Sequence, residues 1–82
     1  MSRLKTIHEP KYKAFINEIV KIRNSKGLSQ RALADRIHES AAFVATIEIR
    51  ERRMDVLETY KILKGLGLSK SEISKLLEKY FY

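Results

Sequence analysis

The chain has 82 residues, 44% of them hydrophobic, no cysteine, and a formal net charge of +7 from 17 basic and 10 acidic residues. That length suits one small domain with a single modest core, and the missing cysteine excludes disulfides and thiolate zinc sites. So large a positive excess points to a polyanionic partner, a nucleic acid or an anionic membrane surface, or to a solubility role.

Apolar residues recur along the chain at helical spacing, and each run opens at a capping residue and closes near a glycine or a polar turn, which predicts an all-α chain. The first helix follows Pro10 and runs to about Lys26, with Phe15, Ile16, Ile19, Val20 and Ile22 as its apolar face and Gly27 as its left-handed stop. A short second helix starts after "GLS", capped by Ser29; Leu28 staples onto Leu33, and Leu33 with Ile37 forms the buried stripe. The third helix opens at Ser40 and turns Val44 and Ile47 inward, with Phe43 beside them. The fourth opens at a capping box, Asp55 with Glu58, and carries Leu57, Tyr60, Leu63 and Leu66 before Gly67 stops it. Ser69 and Glu72 form a second box. It opens a fifth helix, about residues 70–81, with Ile73, Leu76, Leu77, Tyr80 and Phe81 in one stripe.

Several function classes are excluded on this reading. The start "MSRLKTIHEP" lacks the apolar run of a secretion signal, and no stretch approaches the roughly 18 apolar residues of a membrane span, so a cytoplasmic protein is expected. His8 and His38 have no carboxylate or second histidine at ligand spacing, so no metal is expected. No nucleophile with a base, carboxylate pair or phosphate-cradling glycine loop is present, so neither an enzyme nor a cofactor is expected. The ending "LLEKYFY" leaves a basic membrane-surface peptide as a rival reading, though no membrane partner is expected.

Residues 30–50 match a helix-turn-helix position by position: Ala34 where two helices cross closely, the turn "HES", then Val44 and Ile47 locking the second helix onto the first. With "KIRNSKGLSQRALADRI" before and "IEIRERRMDVLETYKILKGLGLS" after, the chain resembles the phage lambda repressor-like (Cro-like) helix-turn-helix family over about residues 12–68. The resemblance implies a compact all-α bundle of about five helices, a single domain over residues 1–82 with the helix-turn-helix at about 29–50. It also implies a sequence-specific regulator of double-stranded DNA, a repressor acting by operator occupancy. An antitoxin or other module binding a protein partner is the alternative.

The same resemblance places residues. Lys26, Ser29, Gln30 and Arg31 take the family's phosphate-contact positions, and Ser40, Ala41, Ala42, Ala45 and Thr46 face the bases. Arg23 and Glu48 take the positions of the family's structural ion pair. Two departures stand out. His38 and Arg50 occupy positions where glycine is common, so the third helix is expected to run past Ile49. The base-facing stripe is also nearly uncharged, suited to thymine methyls with hydrogen bonds from Thr46 and Gln30, while the charge sits around it. Residues 1–53 hold twelve of the seventeen basic residues against six acidic ones, and Arg50, Arg52 and Arg53 would form a second phosphate clamp beyond the third helix. The stripe Ile73, Leu76, Leu77, Tyr80 and Phe81, with Tyr82, exceeds what a terminal helix needs, so a homodimer through the fifth helix is expected.

Overall fold

The computed structural model describes residues 9–81; His8 and Tyr82 lie outside the described residues. Five helices follow one another: α1 (Pro10–Ser25), α2 (Gln30–Arg36), α3 (Ala41–Glu48), α4 (Val56–Gly65) and α5 (Lys70–Phe81), with no strand among the described residues.

Local chemistry sets where these helices begin. Pro10 occupies the first turn of α1, where its missing N–H costs nothing. Ser29 accepts from the Ala32 amide at 3.0 Å and Ser40 from the Phe43 amide at 3.1 Å. Both later starts are reciprocal boxes. The Glu58 amide donates to Asp55 at 2.7 Å while the Asp55 amide donates back to Glu58 at 3.1 Å; the Glu72 amide donates to Ser69 at 3.1 Å and the Ser69 amide to Glu72 at 2.8 Å.

The ends of α1 to α4 share one closure. An amide beyond each helix reaches back to the carbonyl five residues earlier: Leu28 to Arg23 (3.1 Å), Glu39 to Ala34 (2.9 Å), Glu51 to Thr46 (2.9 Å) and Leu68 to Leu63 (3.4 Å). That return requires a left-handed residue just before it. Gly27 (φ 68°) and Gly67 (φ 82°) supply it easily; His38 (φ 59°) and Arg50 (φ 62°) supply it as well. The expectation that the third helix runs past Ile49 is therefore corrected: α3 stops at Glu48. Saturating the terminal carbonyls outweighs a Cβ penalty of about 1 kcal/mol.

One apolar cluster joins all five helices, built from Phe15, Ile16 and Ile19 of α1, Leu33 and Ala34 of α2, Val44 and Ile47 of α3, Ile62 and Leu63 of α4, and Leu76 of α5. Each fully buried Ile, Leu or Phe contributes about 1.5–3 kcal/mol. Leu66, the C-cap of α4, lies in the same core. A second expectation holds only in part. Of the stripe read along α4, Leu63 and Leu66 are buried, with Ile62 beside them, whereas Leu57 and Tyr60 are exposed. Gly65 lets α4 approach α2 closely: a Cβ there would stand 2.5 Å from the Ile37 side chain.

The terminal helix lies against α1. Tyr80 donates its hydroxyl proton to Glu18 at 2.8 Å, and the rings of Tyr80 and Phe81 meet Phe15 edge-on at 6.0 and 4.8 Å. The hydrogen bond to Glu18 holds the Tyr80 phenol above its ordinary pKa, because the carboxylate favours the protonated form. Leu76 belongs to the core of a single chain, so only part of the α5 stripe is left at the surface: Phe81 is about half exposed, and Ile73 and Leu77 are half-buried.

Candidate nucleic-acid interface

Three segments meet around the outer side of α3: the start of α2, α3 itself, and the loop from Arg50 to Arg53. A buried polar knot fixes the first two. Arg23 donates through Nε to Glu48 at 2.6 Å and through a terminal nitrogen at 2.9 Å, and its other terminal nitrogen reaches the Leu28 carbonyl at 2.7 Å. Both side chains are about nine-tenths buried (10% and 7% exposed), which makes this bidentate pair a low-dielectric one. Gln30 joins the knot by donating to Glu48 at 2.9 Å. Since a carboxylate only accepts, the Gln30 amide must turn its NH2 inward and its carbonyl oxygen away from Glu48. One carboxylate thus ties α1, the loop before α2, the first residue of α2 and the last of α3.

The face of α3 opposite Val44 and Ile47 consists, by helical spacing, of Ala42, Ala45, Thr46 and Ile49, with Ala41 at its edge. Ala42 and Ser40 are exposed; Ala41, Ala45 and Thr46 are half-buried; Ile49 is 59% exposed. Thr46 spends its hydroxyl proton on the Phe43 carbonyl at 3.0 Å. The Ser40 oxygen caps α3.

Basic side chains rim this face. Arg31 and Arg53 are exposed. Arg52 is exposed too, ion-paired with Glu58 and lying 5.2 Å over the Phe43 ring; hydrogen bonding to Glu58 raises its pKa further. Arg50 is half-buried, and its Nε is a buried donor with no hydrogen-bond partner. Lys26 points elsewhere: its ammonium lies 3.7 Å from where a Cβ on Gly67 would sit, near enough to Glu72 to help lower that carboxyl's pKa, after the leading effect of the Ser69 hydrogen bonds. The outer face of α3 is uncharged, basic residues lie on the segments before and after it, and the Arg23–Glu48–Gln30 knot ties it to α1 and α2 from behind.

The helix-turn-helix family model matches residues 19–73, most of the described chain. The chain belongs to the lambda repressor-like helix-turn-helix family. A solved structure described as an XRE-family like protein from Pseudomonas syringae pv. tomato str. DC3000 is similar over 93% of this chain and 94% of that one, at 34% identity and a TM-score of 0.77. No curated protein matches the chain. Lambda repressor-like helix-turn-helix proteins are a family of DNA-binding transcription regulators and not one of enzymes. No described helix is long and apolar enough to cross a membrane.

Some of the interface escaped the sequence. Gln30 to Glu48 spans 18 positions, and the Met54 amide donates to the Tyr12 hydroxyl (3.2 Å) across 42. Arg36 donates to the Gly65 carbonyl at 3.0 Å across 29. No local pattern announces such links, because each needs the folded positions of two distant elements.

Proposed function

We propose that this protein is a homodimeric repressor that occupies an operator in double-stranded DNA, with α3 in the major groove. The observation that supports this best is the division of labour along the chain: the outer face of α3 is uncharged, while basic residues sit on the segments flanking it, exposed Arg31 early in α2 and half-buried Arg50 with exposed Arg52 and Arg53 just after α3. Phosphate contacts supply most of the affinity and fix the register, while base contacts specify. On the α2 side Ser29 is a polar phosphate partner, and Gln30, held by Glu48, joins it through the second N–H of its amide; Lys26 would have to swing away from Glu72 to join them.

The dimer face is the surface that α4 and α5 leave uncovered. Val56 (88% exposed), Thr59 and Tyr60 border a groove of about 410 Å³ floored by Leu63, Ile73 and Leu77, and the half-exposed Phe81 lies with Leu77 in the adjoining depression. A two-fold axis there buries Ile73, Leu77 and Phe81 against their copies, and requires two α3 helices about 34 Å apart, one DNA turn. The exposure of Leu57 (65%) beside it also suits a protein partner, the reading in which the chain serves as an antitoxin-like module.

The test is duplex affinity across a salt series, together with sedimentation of the chain and of Leu77→Asp. Arg53→Ala and Arg31→Ala should weaken binding to all sequences alike, each lowering the log-log salt slope by about one. Leu77→Asp should sediment as a monomer and bind a palindrome no better than its half-site. A salt slope near zero for the parent chain would rule out DNA as the partner.

A further inference from the structure

The hydrogen-bond inventory of α3 is one-sided. From Ala41 to Ile49 the side chains offer a single N–H or O–H group, the Thr46 hydroxyl, and its proton is spent on the Phe43 carbonyl. Glu48 is saturated from behind by Arg23 and Gln30. The outward groups that remain are the methyls of Ala42 and Ala45, the Thr46 methyl, the Ile49 side chain, and the Thr46 oxygen with acceptor capacity to spare. Behind them, Gln30 turns its carbonyl oxygen away from Glu48.

In the major groove, guanine shows two acceptors and no donor, so recognising it requires a donor that the side chains from Ala41 to Ile49 lack; before them only the N-cap Ser40 keeps a hydroxyl proton to give. Thymine shows a C5-methyl group, and adenine or cytosine shows an exocyclic amine. An apolar, acceptor-only face therefore matches a pyrimidine C5-methyl group beside a base amine.

We propose that the side chains from Ala41 to Ile49 read pyrimidine C5-methyl groups and donate a hydrogen bond to no base, so the protein treats 5-methylcytosine as it treats thymine. This rests on the proposal that α3 lies in the major groove, and it adds a regulatory consequence. Methylation of cytosine at C5 within the site strengthens binding, whereas a protein reading the guanine edge at that pair gains nothing from it. Each methyl group buried against the Ala42, Ala45 and Ile49 surface is worth about fourfold in affinity.

The test starts from the tightest duplex recovered from a pool of random-sequence DNA, remade with single modified bases. Deoxyuridine in place of each thymidine removes only the methyl group. At one or more positions it should weaken binding about fourfold, and a 5-methylcytosine–guanine pair at that position should bind more tightly than the unmethylated pair by about the same factor. Replacing guanine by 7-deazaguanine, which deletes an acceptor, should change nothing in the pairs under α3. Ala42→Gln, at an exposed position that leaves the core untouched, adds a donor and should make one 7-deazapurine substitution costly. Affinity indifferent to every deoxyuridine and to 5-methylcytosine, with specific binding retained, would overturn the methyl reading and leave the DNA-binding proposal standing. Recovery of no duplex above background at low salt would overturn both.

Discussion

The helix-turn-helix half and the α4–α5 half are held together in different ways. In the first, the decisive contacts join residues far apart in sequence: Arg23 with Glu48, Gln30 with Glu48, Met54 with Tyr12. In the second, both helix starts are reciprocal boxes whose members are three residues apart, and the long-range tie, Tyr80 to Glu18, is a single hydrogen bond at the half-buried end of α5. The difference shows where fragility lies. A capping box can lose one partner and leave a frayed turn, whereas the knot behind α3 runs through one buried carboxylate, and whatever removes it disturbs the outer face of α3 too.

The largest effect should come from breaking that knot. Arg23→Met or Glu48→Gln leaves a charged or strongly polar partner buried, and each should cost about 3–5 kcal/mol, a large share of so small a domain's stability. Replacing both together should cost clearly less than the sum of the two. Denaturant melts of the two single variants and the double variant give the coupling; strictly additive losses of a few tenths of a kcal/mol would show that the two halves are held alike after all.

Legibility in the sequence divides local signals from long-range ones, in both halves. The five helices were readable because Ser29, Ser40, Asp55 and Ser69 announce their starts locally and because apolar residues repeat at helical spacing. The misreadings concern facts that local pattern does not contain. Arg50 adopts a glycine-like conformation because the Glu51 amide closes on Thr46, and Leu57 and Tyr60 stay outside because neighbouring helices settle which side of α4 is inward. The α3 face could be listed as alanines and a threonine. That the threonine's proton is already committed could not be seen there, since it depends on the rotamer chosen beside Phe43.

A middle-sized effect separates stability from binding within the helix-turn-helix half. Arg50→Gly relieves the left-handed Cβ penalty of about 1 kcal/mol, and net of the entropy a glycine loses on folding it should raise stability by up to about 0.5 kcal/mol. It also removes a guanidinium from the rim, so duplex affinity should fall, with a salt slope lower by about one. Gly27 and Gly67, which close α1 and α4 by the same geometry, leave no such gain to be made. Thermal melts and duplex titrations on one preparation decide it. A variant that loses both stability and affinity would mean that the Arg50 side chain is a structural support.

The smallest effect belongs to the α5 box and carries a pH signature. Hydrogen bonds from Ser69 hold the Glu72 carboxyl below its ordinary pKa, with Lys26 and Lys75 adding to the shift. A group whose folded pKa is depressed contributes stability that is fully present above its unfolded value, and loses it as pH falls through the folded one. Glu72→Gln should therefore be slightly less stable than the parent chain at neutral pH. The gap should hold steady down to the ordinary glutamate range, about pH 4.3, and close below it as the parent's carboxyl is protonated. Because the group is fully exposed, added salt should shrink the lysine share and leave the Ser69 share. Parallel melts of the two proteins from neutral to acid pH make the measurement. A gap that widens on acidification would mean that Glu72 is better accommodated protonated, and that the start of α5 is not held by its charged box.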